Sequence, residues 1–296
     1  MAPVPQAAVR MDGKRVVVTG ATSGLGAVLA ESLARAGAAL VLVGRDPTRT
    51  ESFAQRLASS GASVRFHVTD LADRAQARSL ASKLREENPR LDVLINNAGA
   101  LVYTFSTTPS GDERTFGLNV LAPFVLMEGL LPCLTASGAG RVVNVASAAH
   151  RMGTLNFGDL DRRQKYSGWA AYSQSKLALL MITYEAARRH FDRPVTFNAC
   201  HPGFVRSHFG VEGAAGMQGA FLGAGKRIAA ISPERGARTP LYLATSPEVA
   251  HTSGEYFAKS RPHPSSAASH DREAAKRLWE ICERRSGLLE PAMTVG

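Results

Sequence analysis

Thr19-Gly20-Ala21-Thr22-Ser23-Gly24-Leu25-Gly26 is the stretch that decides the fold. A short β-branched run, Arg15 to Thr19, leads into it, and a segment with helical spacing, Ala27 to Ala36, leads out. Strand, glycine turn and helix in that order gather unpaired backbone N–H groups and the positive end of a helix dipole at one point. Glycines there let the backbone approach a ligand closely and adopt positive φ. A pyrophosphate fits such a cradle. The spacing is G-x-x-x-G-x-G rather than the commoner G-x-G-x-x-G. Its weight comes from its place, between the first strand and first helix of an α/β chain. A glycine turn used only for close packing is the competing reading.

The alternation continues outward from that turn. Leu40 to Val43 is a second strand, and Asp46-Pro47, a capping residue followed by proline, opens a helix over Thr50 to Ser59. Val64 to Val68, Val93 to Ile95, Arg141 to Val145 and Val195 to Ala199 are further strands; Arg74 to Glu87, a long Arg114 to Leu131 and Ala171 to Arg189 are further helices. This pattern predicts an α/β fold: a single-domain, Rossmann-type, doubly wound parallel sheet with helices on both faces. Residues 1–13, rich in Pro and Ala, suggest a flexible leader, and residues 14–260 the catalytic domain. Residues 261–296 form a C-terminal extension whose helix, Asp271 to Arg285, packs on the same domain through Ala274, Leu278, Ile281 and Cys282. Gly210 to Gly225 is Gly/Ala-rich but carries Val211, Met217, Phe221 and Leu222. It suits a substrate lid near 204–235; a plain surface loop and helix fits equally well.

Composition narrows the function classes. The 296 residues include 35 basic and 25 acidic ones, a formal charge of +10. No dense Lys/Arg run accompanies that charge, which argues against nucleic acid as partner. Pairs such as Arg188-Arg189 and Arg284-Arg285 sit near expected helix ends, where the dipole favours cations. The three cysteines, Cys133, Cys200 and Cys282, form no CxxC or metal-ligand pattern, so no metal is expected and a reducing compartment fits. No apolar stretch is long enough to span a bilayer, and the first residues lack a signal-peptide core. Cytoplasmic residence is the expectation.

The second strand ends in Leu42-Val43-Gly44-Arg45. A site for NAD usually places an acid near here for the ribose hydroxyls. Gly44 stands at that place and Arg45 follows, a guanidinium suited to a 2′-phosphate. Asp46 is the counter-signal, but its place before Pro47 gives it a capping job that turns it away. The cofactor expected is NADP(H). Further on, Tyr172-Ser173-Gln174-Ser175-Lys176 puts a Tyr and a Lys on one helix face. A free phenol, with a pKa of about 10, is too weak an acid to serve as a base at neutral pH, and a neighbouring ammonium lowers that value. Alone, such a pair is common and reads first as a surface pair.

The order and spacing of these motifs resemble the short-chain dehydrogenase/reductase superfamily over nearly the whole chain. The matching residues are Thr19-Gly20-x-x-x-Gly24-x-Gly26, Asp70-Leu71, Asn96-Asn97-Ala98-Gly99, Asn119, Ser147, Tyr172-x-x-x-Lys176 and Pro202-Gly203. The resemblance implies catalytic roles for Asn119, Ser147, Tyr172 and Lys176. Ser147 bonds the substrate oxygen, Tyr172 is the acid/base, Lys176 holds the nicotinamide ribose and lowers the tyrosine pKa, and Asn119 positions a relay water. It implies cofactor contacts from Gly20, Ser23, Gly24, Leu25 and Gly26, from Arg45, from Asp70 and Leu71 at the adenine, and from Asn97, Ala98 and Gly99 at the ribose. Tyr172 and Lys176 also contact the cofactor, and Pro202, Gly203, Val205 and Ser207 cover the nicotinamide.

A finer resemblance is to the retinol dehydrogenase-like branch. It rests on Asp159-Leu160, on Ala171-Tyr172-x-Gln174-Ser175-Lys176-Leu177-Ala178, and on Gly254-x-Tyr256-Phe257 with Leu278-Trp279. It implies an NADP(H)-dependent oxidoreductase that interconverts a carbonyl and an alcohol on an apolar small molecule. Tyr103, Phe157, Trp169, Phe204, Phe209, Met217 and Phe221 are candidates for an apolar wall. The same framework serves epimerases, dehydratases and double-bond reductases, which usually need extra acids or cysteines near the nicotinamide, and non-catalytic NADP(H) binders, which typically lose the Tyr or Lys. Family members often pair through their two long helices, so a homodimer or homotetramer is expected.

Overall fold

The computed structural model describes residues 9–205, 210–212 and 231–288. Ten strands occur among them: β1 (Arg15–Thr19), β2 (Ala39–Gly44), β3 (Val64–Val68), β4 (Val93–Asn96), β5 (Ala100–Val102), β6 (Gly140–Val145), β7 (Val195–His201), β8 (Gly210–Glu212), β9 (Tyr256–Ala258) and β10 (Arg261–Pro262). Eight form one sheet in the order β10-β9-β7-β6-β4-β1-β2-β3. All neighbours run parallel except the β9–β10 pair. β5 and β8 make a separate two-stranded parallel ribbon.

The centre of the sheet is apolar on both faces because helices cover both. Val17, Val41 and Leu94 point into one half of the core; Val16, Val18, Leu40, Leu42 and Ile95 point into the other. Period-2 alternation thus serves two cores rather than a core and water. One layer holds α1 (Gly24–Arg35), α2 (Pro47–Ser59) and, later in the chain, the helix Pro233–Thr245. The other holds α3 (Arg74–Glu87) and the long helix Gly168–Arg189.

The expected helix from Arg114 to Leu131 is divided. It consists of α4 (Arg114–Phe116), a π turn (Gly117–Leu121), α5 (Ala122–Gly129) and, after Leu130, α6 (Leu131–Thr135). Two features explain the break. The Asn119 side chain leaves the helix to bond the backbone of Ala100, and Pro123 has no N–H to give the Asn119 carbonyl four residues back. After it come α7 (Gly168–Arg189), α8 (Pro233–Thr245) and α9 (Arg272–Ser286).

Asp271 caps α9 by accepting the Ala274 N–H at 3.0 Å, and Gly287 closes it at φ 63°. The buried face differs from the one expected: it is Ala275, Leu278, Trp279 and Cys282, with Ala274 and Ile281 only half-buried. A helix that nests between two others is buried over a wider arc than one apolar stripe shows. α9 lies against α7, α5 and α3, so it covers the helices through which pairing is expected. At the other end, Met11 in the leader is buried and its N–H bonds the Ala36 carbonyl at 2.7 Å. Most of the expected lid, with Phe209, Met217 and Phe221, lies outside the described residues, as does Ser207.

Candidate active site

The turn after β1 is built so that no side chain fills it. Gly20 and Gly24 take φ of 63° and 52°. A Cβ on Gly26 would lie 2.0 Å from the Gly20 carbonyl oxygen, and one on Gly20 2.9 Å from the Ala98 Cα. Asn97 braces the turn from below, its Nδ2 donating to the carbonyls of Thr19 at 2.9 Å and Gly20 at 3.2 Å. Thr19 Oγ1 in return accepts the N–H groups of Asn97 and Ala98, both at 3.0 Å. Asn97 is therefore structural as well as lining; its spacing from the turn gave no sign of this. Ser23 heads α1 without bonding it through its side chain.

Above this cradle runs a cavity of about 590 Å³, within the size range of small-molecule sites. Gly20, Ser23, Gly24, Leu25 and Gly26 line one side, with Arg45, Asp70 and Leu71 at one end. Asn97, Ala98 and Gly99 form its middle, and Ser147, Tyr172, Lys176, Pro202, Gly203 and Val205 the other end. Every named site residue in the described part lines it except Asn119. Leu101, Tyr103, Met152, Trp169 and Phe204 add an apolar mouth. Phe157 does not line it; the Arg277 guanidinium stacks over that ring at 4.4 Å.

At the polar end Asp46 lines the cavity beside Arg45 and Arg49 rather than turning away from it, and its Oδ2 lies 3.2 Å from the Arg49 Nε. Asp46 Oδ1 accepts the Arg49 N–H at 2.9 Å, the capping role expected of it. Arg45 lines the cavity beyond Gly44, and so does Arg49, one turn along the α2 entry, which the motif reading passes over. Asp70 is held by Arg114 at 3.0 Å and by the Ala72 N–H at 3.1 Å. A glycine cradle that admits only backbone, with guanidinium groups at one end, fits a dinucleotide.

Asn119, fully buried, ties three pieces together. Its Oδ1 accepts the Ala100 N–H, and its Nδ2 donates to the Ala100 carbonyl, each at 3.0 Å. The same Nδ2 reaches Ser175 Oγ at 2.9 Å. Ser175 Oγ in turn donates to the Tyr172 carbonyl at 2.8 Å. The residue thus fixes β5 against the turn of α7 that carries Tyr172.

Tyr172 is 7% exposed, with Trp169 tilted against it at 5.9 Å. Burial pushes its phenol up to about 12, and a hydrogen bond with Ser147 works against that rise. Lys176 is pushed down to about 8 by its own burial; Nζ donates to the Val145 carbonyl at 2.9 Å and lies 5.7 Å from the Tyr172 ring centroid. The sequence leads one to expect the ammonium to set the phenol pKa. In the protein alone, desolvation outweighs it, because the charge is itself buried and spent on a carbonyl.

His201, at the end of β7, also lines the cavity and accepts the Ala148 N–H on Nδ1 at 3.3 Å. Burial, with His150 and His263 nearby, pushes its pKa from 6.5 down to about 4. The unfolded chain therefore binds a proton between those values that the folded one refuses, and stability falls as pH drops from 6.5 toward 4. His201→Asn keeps the acceptor but cannot titrate. Its urea-unfolding free energy should fall less than that of the parent protein between neutral pH and pH of about 4.5. Equal losses would show that His201 takes no part in the acid sensitivity.

A parallel α/β sheet with a glycine cradle and a Ser/Tyr/Lys set in one cavity defines an oxidoreductase of the dinucleotide-binding type. The short chain dehydrogenase family model matches residues 14–218, and the chain belongs to the short-chain dehydrogenase/reductase family. It is 39% identical over 290 residues to human retinol dehydrogenase 13, covering 95% of this chain and 87% of that protein. A crystal structure of a Mycobacterium paratuberculosis protein is 33% identical with a TM-score of 0.76, covering 94% of this chain and 95% of the other. The Pseudomonas aeruginosa RhlG/NADP active-site complex is 27% identical with a TM-score of 0.66, covering 84% and 95%.

Proposed function

We propose that this protein interconverts a carbonyl and an alcohol on an apolar small molecule, using NADP(H), with Tyr172 as the acid/base. The observation that carries the reading is the meeting of Ser147 and Tyr172, hydroxyl to hydroxyl, in the cavity that begins at the glycine cradle. The cofactor, when bound, supplies or accepts the hydride. Tyr172 gives its phenolic proton to the nascent alkoxide in reduction and takes it back in oxidation. Ser147 Oγ donates to the same oxygen as charge builds, a preorganised contribution. Lys176, charged below a pKa of about 8, supplies a positive field beside the phenol, and Asn119 keeps the Tyr172 turn in place. The acids among the described cavity residues, Asp46 and Asp70, lie at the Arg45 end, away from Ser147 and Tyr172, where an epimerase or dehydratase would need its second acid.

Three large apolar residues at the mouth are strongly exposed: Met152 at 61%, Phe204 at 51% and Trp169 at 46%. Clustered exposure of this kind marks a surface kept for an apolar ligand. Similarity to a retinol dehydrogenase supports the same substrate class. Cytoplasmic residence belongs to this proposal, supported by three free, buried cysteines; among the described residues no helix is long and apolar enough to cross a membrane. A screen of NADPH oxidation against aldehydes and ketones of increasing chain length tests the reading, with turnover expected to rise with apolar length.

Cofactor choice rests on Arg45, with Gly44 where an acid would stand and Asp46 occupied as a cap. Charge-assisted pairing to a 2′-phosphate is worth roughly 1.5–3 kcal/mol, or about ten- to a hundredfold in affinity. Fluorescence titration should show that preference for NADPH over NADH, and Arg45→Asp should erase or reverse it. Equal affinities in the unmodified protein would refute NADP(H) specificity.

A further inference from the structure

Ser147 stands at the head of a short 3-10 turn, Ala148–Met152, whose own hydrogen bonds are few. The Ala149 N–H donates to its hydroxyl and the His150 N–H to its carbonyl, each at 3.2 Å, and a side chain adds to that hold. His150, on that turn, is fully buried. Its Nδ1 lies 2.7 Å from the Ser147 carbonyl oxygen, and its Nε2 lies 3.1 Å from the backbone nitrogen of Ser266. A carbonyl only accepts and a backbone N–H only donates, so both partners require the same tautomer: the proton on Nδ1 and the lone pair on Nε2. Burial lowers the ring's pKa and favours that neutral form. The ring meets that of Tyr256 in a T-shaped contact, centroids 5.1 Å apart.

Ser266 is a firm anchor. It lies in the connector between β10 and α9, which is fastened to α7 and to the 3-10 turn by other bonds. Tyr184 Oη donates to Ser265 Oγ at 2.9 Å, and His270 stacks on the Tyr184 ring at 5.2 Å. The Arg151 guanidinium donates to the Pro264 carbonyl. A neutral imidazole thus spans from the backbone of the serine to a connector with its own attachments.

We propose that His150 is a positioning residue: its Nδ1–H holds the Ser147 carbonyl so that the Ser147 hydroxyl stays on Tyr172 and on the substrate oxygen, while the Nε2–Ser266 bond serves to fix the tautomer. The inference rests on the reading in which Ser147 and Tyr172 act on that oxygen. Its two bonds can be separated. In His150→Asn the amide nitrogen takes the place of Nδ1 and keeps the donor to Ser147, while the Ser266 acceptor is lost. In His150→Gln the amide oxygen takes the place of Nε2 and keeps the Ser266 bond, while the donor to Ser147 is lost.

The test measures kcat and KM for both variants, their thermal unfolding, and the NMR signal of the Tyr172 ring carbon Cζ in 13C-tyrosine-labelled protein. Tyr172→Phe assigns that signal, and Ser147→Ala marks where it moves when the serine hydroxyl is gone. His150→Asn should rescue at least about half of kcat and keep the Cζ signal in place. His150→Gln should lose about five- to tenfold in kcat, the scale of one hydrogen bond. Its KM should stay within about twofold, with unfolding close to that of the parent and the Cζ signal moved toward the Ser147→Ala position. Equal kcat losses in both variants, or a Cζ signal unmoved in His150→Gln, would overturn the proposal. Absence of NADP(H)-linked turnover in the unmodified protein would instead sink the functional reading, and the Cζ signal would still decide the role of His150.

Discussion

Tyr172→Phe should lower turnover at least about a hundredfold, the usual scale of general acid–base help, while NADPH affinity stays within about twofold. The substitution keeps the ring, which is buried beside Trp169 and Lys176, and removes only the hydroxyl. No cavity opens, so loss of activity cannot come from loss of packing. Ser147→Ala should also impair turnover, and the double variant should fall short of the product of the two, since in the proposed mechanism both hydroxyls act on one atom. With the phenol pushed up to about 12 in the protein alone, Tyr172 is protonated at neutral pH and ready to act as an acid. In the proposed mechanism reduction should therefore proceed at neutral pH, while alcohol oxidation, which needs the phenolate, should speed up as pH rises. Steady-state rates in both directions check this. Near-normal carbonyl reduction by Tyr172→Phe would rule the mechanism out.

How far the sequence foretells this site depends on how local each signal is. The glycine turn, β1 to β4 and the Asp46 cap are written in neighbouring residues, and the structure places them where they are expected. α8 is not legible because Gly236 and Pro240 interrupt its pattern. Gly236 is there for a tertiary reason, since a Cβ would come 2.5 Å from Val205 Cγ2. The ribbon of β5 and β8 pairs segments more than a hundred residues apart, Ala100 with Gly210, and three-residue strands leave no periodicity to detect. The π turn at Asn119 follows from a side-chain bond to another element, which overrides an otherwise good helical pattern. Arg49 and His150 carry no motif, and their placement emerges only when α2 and the C-terminal connector are folded against the sheet.

Trp279→Ala should destabilise the protein by about 3–5 kcal/mol, the range for losing a buried large aromatic. Trp279 is 1% exposed and meets Phe124 of α5 edge-on at 4.8 Å. The Arg189 guanidinium lies 5.0 Å from its ring centroid, and its Nε1 donates to Glu283 at 2.8 Å. Truncation empties a buried site beside Phe124, His190 and Arg189 and removes the bond to Glu283. Ile281→Ala, on the face that sequence periodicity favours but the fold leaves half-buried, should cost less than about 1 kcal/mol. Thermal unfolding separates the two, at roughly 2–4 °C per kcal/mol for a chain of this class. A Trp279→Ala protein that melts like its parent would mean that α9 adds nothing to the core. The same variant bears on assembly. While α9 is docked, α5 and α7 are covered by the chain itself, and a partner could reach them only by displacing it. Loosening α9 should therefore promote self-association through newly bared apolar faces, read by light scattering as a rise in mass; a parent protein already dimeric through those helices would lose mass instead.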